Sequence, residues 1–367
     1  MSKQLIDKMA ALYQECGVVG MLTTDVCSQV ICDPKPISRA TMFVLDFINR
    51  DNAPIFATTI RNQEYAIDVP AQYGSSVKSS TTPLFTCLKE GSVEYPMLTF
   101  RHHIHLNEDE CLTRKEYQLA GSCTNATALS TFVNNAANYF QQLSDGFWAS
   151  TALQVWNGIT TGNVSYVIET PTGTTSVVSY PSGIDSVDYT TAGLNNPWDT
   201  MDCDTLLDAI EDLKGTWEDR GCCELATMYL TRTTFAKIVN KLKECNGTCC
   251  TSFSTMTTEG IKSVDMIAGI RVNIVPTLSI PVAGCTTPTK LLNDGEILFT
   301  CEGAKVEFYD MLNIAPSKLF DGSCDDEVGT GVKTQCEKAD TGALTYKMFY
   351  NYGLVFPKNK FLFVKAY

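Results

Sequence analysis

The chain has 367 residues, of which 44% are hydrophobic and 19% charged, a balance typical of folded globular proteins. This length favours two packed lobes, or one domain with large excursions. The formal net charge of -13, from 28 basic and 41 acidic residues, argues against a surface that grips nucleic acid. The opening "MSKQLIDKMAALYQECGVVGM" shows no leader or apolar span, so we expect cytosolic synthesis and no membrane association.

The 16 cysteines are scattered from Cys16 to Cys336 through segments that read as ordinary core elements. Such a count in a secreted chain would indicate a disulfide scaffold. Without a leader, the pattern favours mainly buried free thiols, with some disulfides as the second interpretation and a metal site as the third.

Residues 1–53 are predicted to form an N-terminal arm, since "CDPKPIS" enforces extended backbone before a short helical pattern in "ATMFVLDFIN". Residues 54–106 are predicted to form a long projecting hairpin, whose return limb is "YPMLTFRHHIHL". Its polar tip contains Tyr73, Gly74, Ser75 and Ser76, which are candidate contact residues. The alternative is an ordinary surface hairpin.

A single apolar stripe predicts a helix over about 126–157, with members at spacings of three and four: Leu129, Phe132, Val133, Ala136, Ala137, Phe140, Leu143 and Phe147. Such a helix spans about 48 Å, more than most compact domains need. Gly146 is a predicted bend point. In "VWNGITTGN", the pair Asn157 and Gly158 is predicted to end the helix, and Gly162 to form a second turn.

The following stretch, 164–200, is rich in Thr, Ser and Gly and reads as β structure. An α/β lobe then opens with a helix over "MDCDTLLDAIEDLKGTW", capped by Asp202 or Asp204. A buried strand at 225–230 and a helix at 234–244 come next. Later strands alternate on Ile270, Val272 and Ile274 and on Val306 and Phe308, and two strands flank the turn Pro357-Lys358-Asn359.

Catalytic motifs are absent from the sequence: it has no phosphate-binding glycine loop, no Gly-x-Ser-x-Gly elbow and no His-Glu-x-x-His. The three histidines, His102, His103 and His105, lie on one strand before the acidic run 108–110. We predict no catalytic, cofactor or metal site. The alternative is a metal or thiol enzyme built on these histidines, or on the cysteines between Cys222 and Cys250, where a local disulfide or packed thiols are favoured over zinc.

The order of arm, projecting hairpin, long helix, small turn, α/β lobe and returning strands resembles the HK97-type major capsid protein of tailed bacteriophages. "ALQVWNGITTGN" is similar to the motif that closes the spine helix in that family, and "EILFTCEGAKVEFYDM" to the strand pair that follows the lobe. The Thr-rich stretch and the cysteine content depart from the family pattern. No glutamate matches the one that catalyses the Lys-Asn cross-link of a few members.

The resemblance implies an α+β, HK97-like capsid fold with five parts. They are an N-terminal arm (1–53), an E-loop hairpin (54–106), a spine helix with part of a peripheral domain (107–163), an axial domain with the Thr-rich insertion (164–335), and C-terminal strands returning to the peripheral domain (336–367). Gly158 and Gly162 would turn the chain from the peripheral toward the axial domain.

The same resemblance implies a homo-oligomer of pentamers and hexamers that encloses double-stranded DNA in a virion assembled in the host bacterial cytoplasm. Portal, decoration or scaffold proteins are the implied partners. The negative charge suits this role, because a basic lining would hold the duplex and impede packing. The alternative within the same fold is the shell of a bacterial nanocompartment, an encapsulin-like protein.

Overall fold

The computed structural model describes residues 39–57, 59–66, 89–106, 126–169, 175–190, 197–220, 222–244, 266–275, 279–280, 289–315, 327–338 and 344–367. Helices and several separate sheets are mixed along these residues, so the predicted α+β class is confirmed. The predicted arm up to residue 38, the hairpin tip with Tyr73, Gly74, Ser75 and Ser76, the acidic run 108–110 and the cysteines at 245–250 lie outside the described residues.

The helices are α1 (Arg39–Leu45), α2 (Ala126–Thr161), α3 (Cys203–Asp219) and α4 (Arg232–Glu244). Among the described helices, none combines the length and apolar character needed to cross a bilayer. The strands are β1 (Ile48–Asn49), β2 (Thr59–Ala66), β3 (Lys89–Pro96), β4 (Leu98–Leu106), β5 (Asn163–Glu169), β6 (Thr175–Pro181), β7 (Asp185–Asp188), β8 (Leu225–Thr231), β9 (Met266–Ile267), β10 (Ile270–Val275), β11 (Ser279–Ile280), β12 (Thr289–Lys290), β13 (Glu296–Cys301), β14 (Val306–Asp310), β15 (Leu312–Ala315), β16 (Glu327–Thr330), β17 (Lys333–Lys338), β18 (Leu344–Val355) and β19 (Phe361–Lys365).

Two larger sheets organise the chain. A six-stranded sheet has the order β7-β19-β13-β8-β10-β9, and α4 connects its parallel neighbours β8 and β10. The helices α3 and α4 bury their apolar stripes in the same core as this sheet. A five-stranded sheet has the order β1-β14-β18-β17, with β4 on the other side of β18. Buried residues of α2 share the core of this second sheet.

The chain end contributes one strand to each sheet. β18 pairs with β4, β14 and β17, whereas β19 pairs with β13 and β7. The predicted turn at Pro357-Lys358-Asn359 therefore carries the chain from one sheet to the other, and Phe356 and Phe361 on either side of it are both buried. This crossing ties the two sheets together.

The long helix α2 does not end where the sequence predicts. Asn157 and Gly158 lie inside the helix, which runs to Thr161, and Gly162 follows with a φ of +71°. The hydroxyl of Thr161 donates to the Asn157 carbonyl at 2.7 Å, within the last turn. The prediction of a stop at Asn157 and Gly158 was wrong, because local propensity did not account for what packs against that turn.

Gly158 is buried and closely packed. A Cβ added there would lie 2.5 Å from Cζ of Phe356 and 3.0 Å from Cγ2 of Val164. The glycine is thus required by the approach of the chain end to the helix, since no larger side chain fits that gap. By contrast, Gly146 is exposed and an added Cβ would contact nothing within 4 Å, while the helix continues through it. The bend at Gly146 stays a prediction.

Helix α3 follows its sequence pattern closely. Asp202 is the N-cap, and its side chain accepts a hydrogen bond from the Thr205 amide at 2.9 Å. Hydrogen bonds from the side chain of Thr205 and from its amide lower the pKa of Asp202, as expected for a carboxylate that accepts protons. The buried stripe consists of Cys203, Leu206, Ile210, Leu213 and Trp217. Helix α4 starts at Arg232, two residues before the predicted start at 234.

The projecting hairpin is shorter on its return side than predicted. β2 and β3 pair in antiparallel register from Thr59↔Pro96 to Ala66↔Lys89. The rest of the predicted return limb, β4, pairs with β18 from Leu98↔Tyr352 to Leu106↔Leu344. The alternation of apolar residues could not show this division, because "YPMLTFRHHIHL" reads as one strand although its first two residues end β3 and its last nine form β4.

Candidate interaction surface

The base of the β2–β3 hairpin is fixed to the body of the protein by two buried side chains. Ile60 is buried against β18, where a Cβ added at Gly353 would lie 2.5 Å from Cδ1 of Ile60 and 2.8 Å from Sδ of Met311. Tyr95 is buried on the opposite strand, and its hydroxyl donates to the Phe356 carbonyl at 3.2 Å. Both anchors lie within two residues of the end of the hairpin that meets the body.

A cluster of tyrosines surrounds this base. The rings of Tyr95 and Tyr180 meet edge to face with centroids 6.2 Å apart, and Tyr166 meets Tyr180 at 6.3 Å. Burial, reinforced by Tyr352, Tyr95 and Tyr166, raises the pKa of Tyr180 far above its usual value. Burial also raises the pKa of Tyr352 to about 12, although its hydroxyl donates to Gln154 at 2.7 Å. Tyr180 and Tyr352 are therefore neutral members of a tightly packed junction.

Four large apolar side chains are exposed on the described surface. Phe56, just before β2, is 69% exposed, and Val177 in β6 is 71% exposed. Met42 in α1 and Met266 in β9 are also exposed. Single exposed apolar residues are ordinary on protein surfaces. Phe56 and Val177 are candidates for contact with another molecule because they lie on the chain segments next to the hairpin base.

The three predicted histidine candidates share one strand. His102, His103 and His105 lie in β4, opposite Met348, Lys347 and Thr345 of β18 respectively. Across the residues that the structure describes, no three or more His, Cys, Asp or Glu side chains form a group that could hold a metal ion.

The cysteines near the lobe differ from the prediction. Cys223 forms a disulfide with Cys301, and Cys203 is also disulfide-bonded, so the prediction of free thiols was wrong for these three. The pairing of β8 with β13 brings Cα of Cys223 and Cys301 to 6.0 Å, a separation that suits a disulfide. Cys222 is a half-buried free thiol, and burial raises its pKa, which disfavours the reactive thiolate.

A cavity of about 560 Å³ lies between α1 and the face of β8, β10 and β13. Its lining mixes aromatic and polar residues, including Phe43, Asp46, Tyr229, Arg271 and Glu302. Among the described residues that line it there is no histidine or free thiol, and Cys301 is held in its disulfide. The cavity offers no nucleophile paired with a base.

The important residues of the hairpin base were not found from the sequence. Tyr95 meets Tyr180, and Gly353 meets Ile60, through long-range packing that no motif spacing indicates. The predicted site residues are distributed differently: Gly146, Asn157 and Gly158 lie along α2, and Gly162 follows its end.

Comparisons with known proteins found similarity only among solved structures. No family model matches the chain, and no curated protein matches it. A capsid protein assigned to a prophage of E. coli CFT073 has a TM-score of 0.47 at 10% identity, with 99% of each chain covered. The capsid of Myoviridae phage XM1 gives 0.44 at 11% identity, covering 91% of this chain and 94% of the other.

A shell of another kind is similar to the same degree. The holo-SrpI encapsulin complex from Synechococcus elongatus has a TM-score of 0.39 at 12% identity, covering 92% of this chain and 90% of the other.

Proposed function

We propose that this chain is a shell subunit, the major capsid protein of a tailed bacteriophage with the HK97-type fold, and that it has no catalytic activity. The observation that carries the proposal is the β2–β3 hairpin. Eight residue pairs extend it from its buried base, and 22 further residues, 67–88, connect its strands. Eight residues of strand span about 26 Å.

A two-stranded ribbon of this length is marginal in water unless a further surface packs against it. Its buried anchors, Ile60 and Tyr95, both lie at the base. Stabilisation of the remainder by a neighbouring copy is the simplest solution, because a closed shell repeats one contact around every symmetry axis. The 36-residue helix α2, about 54 Å long, supports a broad flat subunit that can carry such contacts.

The two larger sheets support the division into a peripheral and an axial domain. In the proposed subunit, the five-stranded sheet with α2 forms the peripheral domain, and the six-stranded sheet with α3 and α4 forms the axial domain. Under this proposal the segment 336–367 supplies β18 to the first and β19 to the second. The subunits form pentamers and hexamers of a virion that encloses double-stranded DNA, assembled in the host bacterial cytoplasm with portal, decoration or scaffold proteins.

Negative-stain electron microscopy of protein purified from its natural source tests this function, with analytical ultracentrifugation of the same sample. We expect uniform polyhedral particles that contain DNA. Particles that hold an enzyme and no DNA would favour the nanocompartment alternative. A monomer that stays monomeric under virion-like conditions, and after addition of portal or scaffold proteins, would overturn the proposal.

A further inference from the structure

The Thr-rich hairpin formed by β5 and β6 has no role in the function proposed above. Its strands pair in antiparallel register from Asn163↔Pro181 to Glu169↔Thr175, directly after the end of α2. The base of this hairpin is fixed to the helix: the Ser182 hydroxyl donates to the Gly158 carbonyl at 2.6 Å, and the Ser182 amide donates to the Gly162 carbonyl at 2.9 Å. Val164, also at the base, is buried against Gly158.

This hairpin contacts the projecting hairpin through the ring of Tyr180. Tyr180, one residue before the end of β6, packs edge to face against Tyr95 of β3 and against Tyr166 of its own hairpin. Edge-to-face aromatic pairs restrict relative orientation as well as distance. The Tyr180 hydroxyl has no hydrogen-bond partner among the described residues, so its contribution comes from the ring.

The position of β2, the other strand of the projecting hairpin, depends on Gly353. Ile60 of β2 occupies the space above Gly353 of β18, space that any side chain at position 353 would fill. Each strand of the hairpin has its own attachment point: β2 through Ile60 at Gly353 of β18, and β3 through Tyr95 at the Tyr180 ring and the Phe356 carbonyl. Two points of attachment, one per strand, fix a direction, whereas one point would permit rotation.

We propose that the Thr-rich hairpin is an intrachain brace, and that Tyr180 and Gly353 are positioning residues that set the direction in which the β2–β3 hairpin leaves the body. The direction is a property of the single subunit. Its consequence for assembly rests on the proposed function, because the projecting hairpin reaches its neighbour only if it leaves the body at the correct angle.

Amide hydrogen exchange of the unassembled full chain, followed by mass spectrometry of peptides covering β2 and β3, tests the brace. Tyr180→Ala removes the ring, and we expect exchange in β2 and β3 to accelerate on the order of tenfold. Tyr180→Phe is the matched control, because it keeps the ring, and exchange should stay unchanged. Faster exchange in β5 and β6 alone, with β2 and β3 unchanged, would show that no brace exists.

Tyr180→Leu provides a second variant should Tyr180→Ala fail to fold, because leucine fills most of the volume without the ring edge. We expect the same acceleration in β2 and β3 at an unchanged melting temperature of the whole chain. An exchange rate in β2 and β3 equal to that of the unaltered protein would overturn the proposal.

The positioning role of Gly353 is tested by a compensating substitution at Ile60. Gly353→Ala forces Ile60 away from β18, and we expect exchange in β2 to accelerate on the order of tenfold. Ile60→Val removes Cδ1, the nearest atom, and the flexible Met311 side chain can shift its sulfur, which would otherwise lie at 2.8 Å, so the double variant Gly353→Ala with Ile60→Val should return to within about twofold of the original rate. Failure of Ile60→Val to rescue would show that Gly353 does not act through this contact.

These outcomes are separable from the function proposed above. If amide exchange changes as predicted but the protein forms no particles, the brace is supported and the capsid function is contradicted. If the protein forms normal particles but substitutions at Tyr180 and Gly353 do not change amide exchange in β2 and β3, only the brace is contradicted.

Discussion

The six-stranded lobe and the β2–β3 hairpin represent two ways of holding a β structure. The lobe encloses its own core, in which Phe299, Leu230 and Val364 are fully or almost fully buried between the sheet and the helices α3 and α4. Of the hairpin residues whose burial the structure describes, Ile60 and Tyr95 are the buried ones, and both lie at the end that meets the body. A region that buries its own apolar surface is stable alone, whereas an extended ribbon depends on what it is attached to.

Truncating a core side chain of the lobe should lower the free energy of unfolding more than any other substitution considered below. Phe299 is completely buried in β13. Phe299→Ala removes a large apolar side chain and leaves a cavity, so we expect the free energy of unfolding to fall by about 3–5 kcal/mol in urea denaturation. Val177→Ser, on an exposed strand position, is the matched control and should change it by less than about 0.5 kcal/mol. A loss at Phe299 no larger than at Val177 would refute a self-contained lobe core.

Two glycines of α2 should respond in opposite directions. Gly158→Ala forces a methyl group against Phe356 and Val164, and we expect a loss of about 1–3 kcal/mol in the free energy of unfolding. Gly146→Ala adds a methyl group where nothing lies within 4 Å, and should stabilise the helix by up to about 1 kcal/mol. Chemical denaturation measures both. Equal effects would mean that the packing around Gly158 is not what requires glycine there.

The tyrosine cluster at the hairpin base predicts a dependence on alkaline pH. Burial raises the pKa of Tyr352 to about 12 and raises that of Tyr180 as well, from an ordinary value near 10.0. Above that ordinary value the unfolded chain loses these protons while the folded chain keeps them. The stabilisation is therefore complete below pH 10 and is lost as the pH rises, by up to about 1.4 kcal/mol per pH unit for each tyrosine.

Denaturation midpoints measured between pH 9 and 12 test this dependence. Tyr352→Phe removes one of the two titrating groups, so the free energy of unfolding should fall less steeply with pH. The variant also loses the hydrogen bond to Gln154, which lowers stability at every pH and leaves the slope unaffected. An unchanged slope would indicate that Tyr352 ionises equally in both states.

The smallest effect on stability should occur at Phe56. Phe56→Ser replaces a side chain that is 69% exposed, and the free energy of unfolding should change by less than about 0.5 kcal/mol. If a neighbouring copy covers this residue, the yield of particles in electron microscopy should nevertheless fall. Thr59→Ser, at an exposed position three residues later, is the control. Normal particle yield from Phe56→Ser would exclude Phe56 from the assembly contact.

Periodicity and capping chemistry determine several elements from the sequence by itself. The buried stripe of α3 and the cap at Asp202 follow from spacing and from the preference of Asp for the N-cap. The predicted strand at 225–230 agrees with β8 to within one residue. These features depend on neighbours within a few positions along the chain, which is the range over which sequence patterns carry information.

Tertiary structure alone decided the remaining features. The pairing of Cys223 with Cys301 spans 78 residues and depends on the register of β13 against β8. The division of 95–106 between the hairpin (95–96) and the five-stranded sheet (98–106) depends on which strand each part pairs with. Gly158 shows most clearly what a local sequence pattern cannot predict. Its sequence context favours a helix stop, yet Phe356, almost 200 residues later, occupies the space beside it, and the contact of two distant segments determined why glycine stands there.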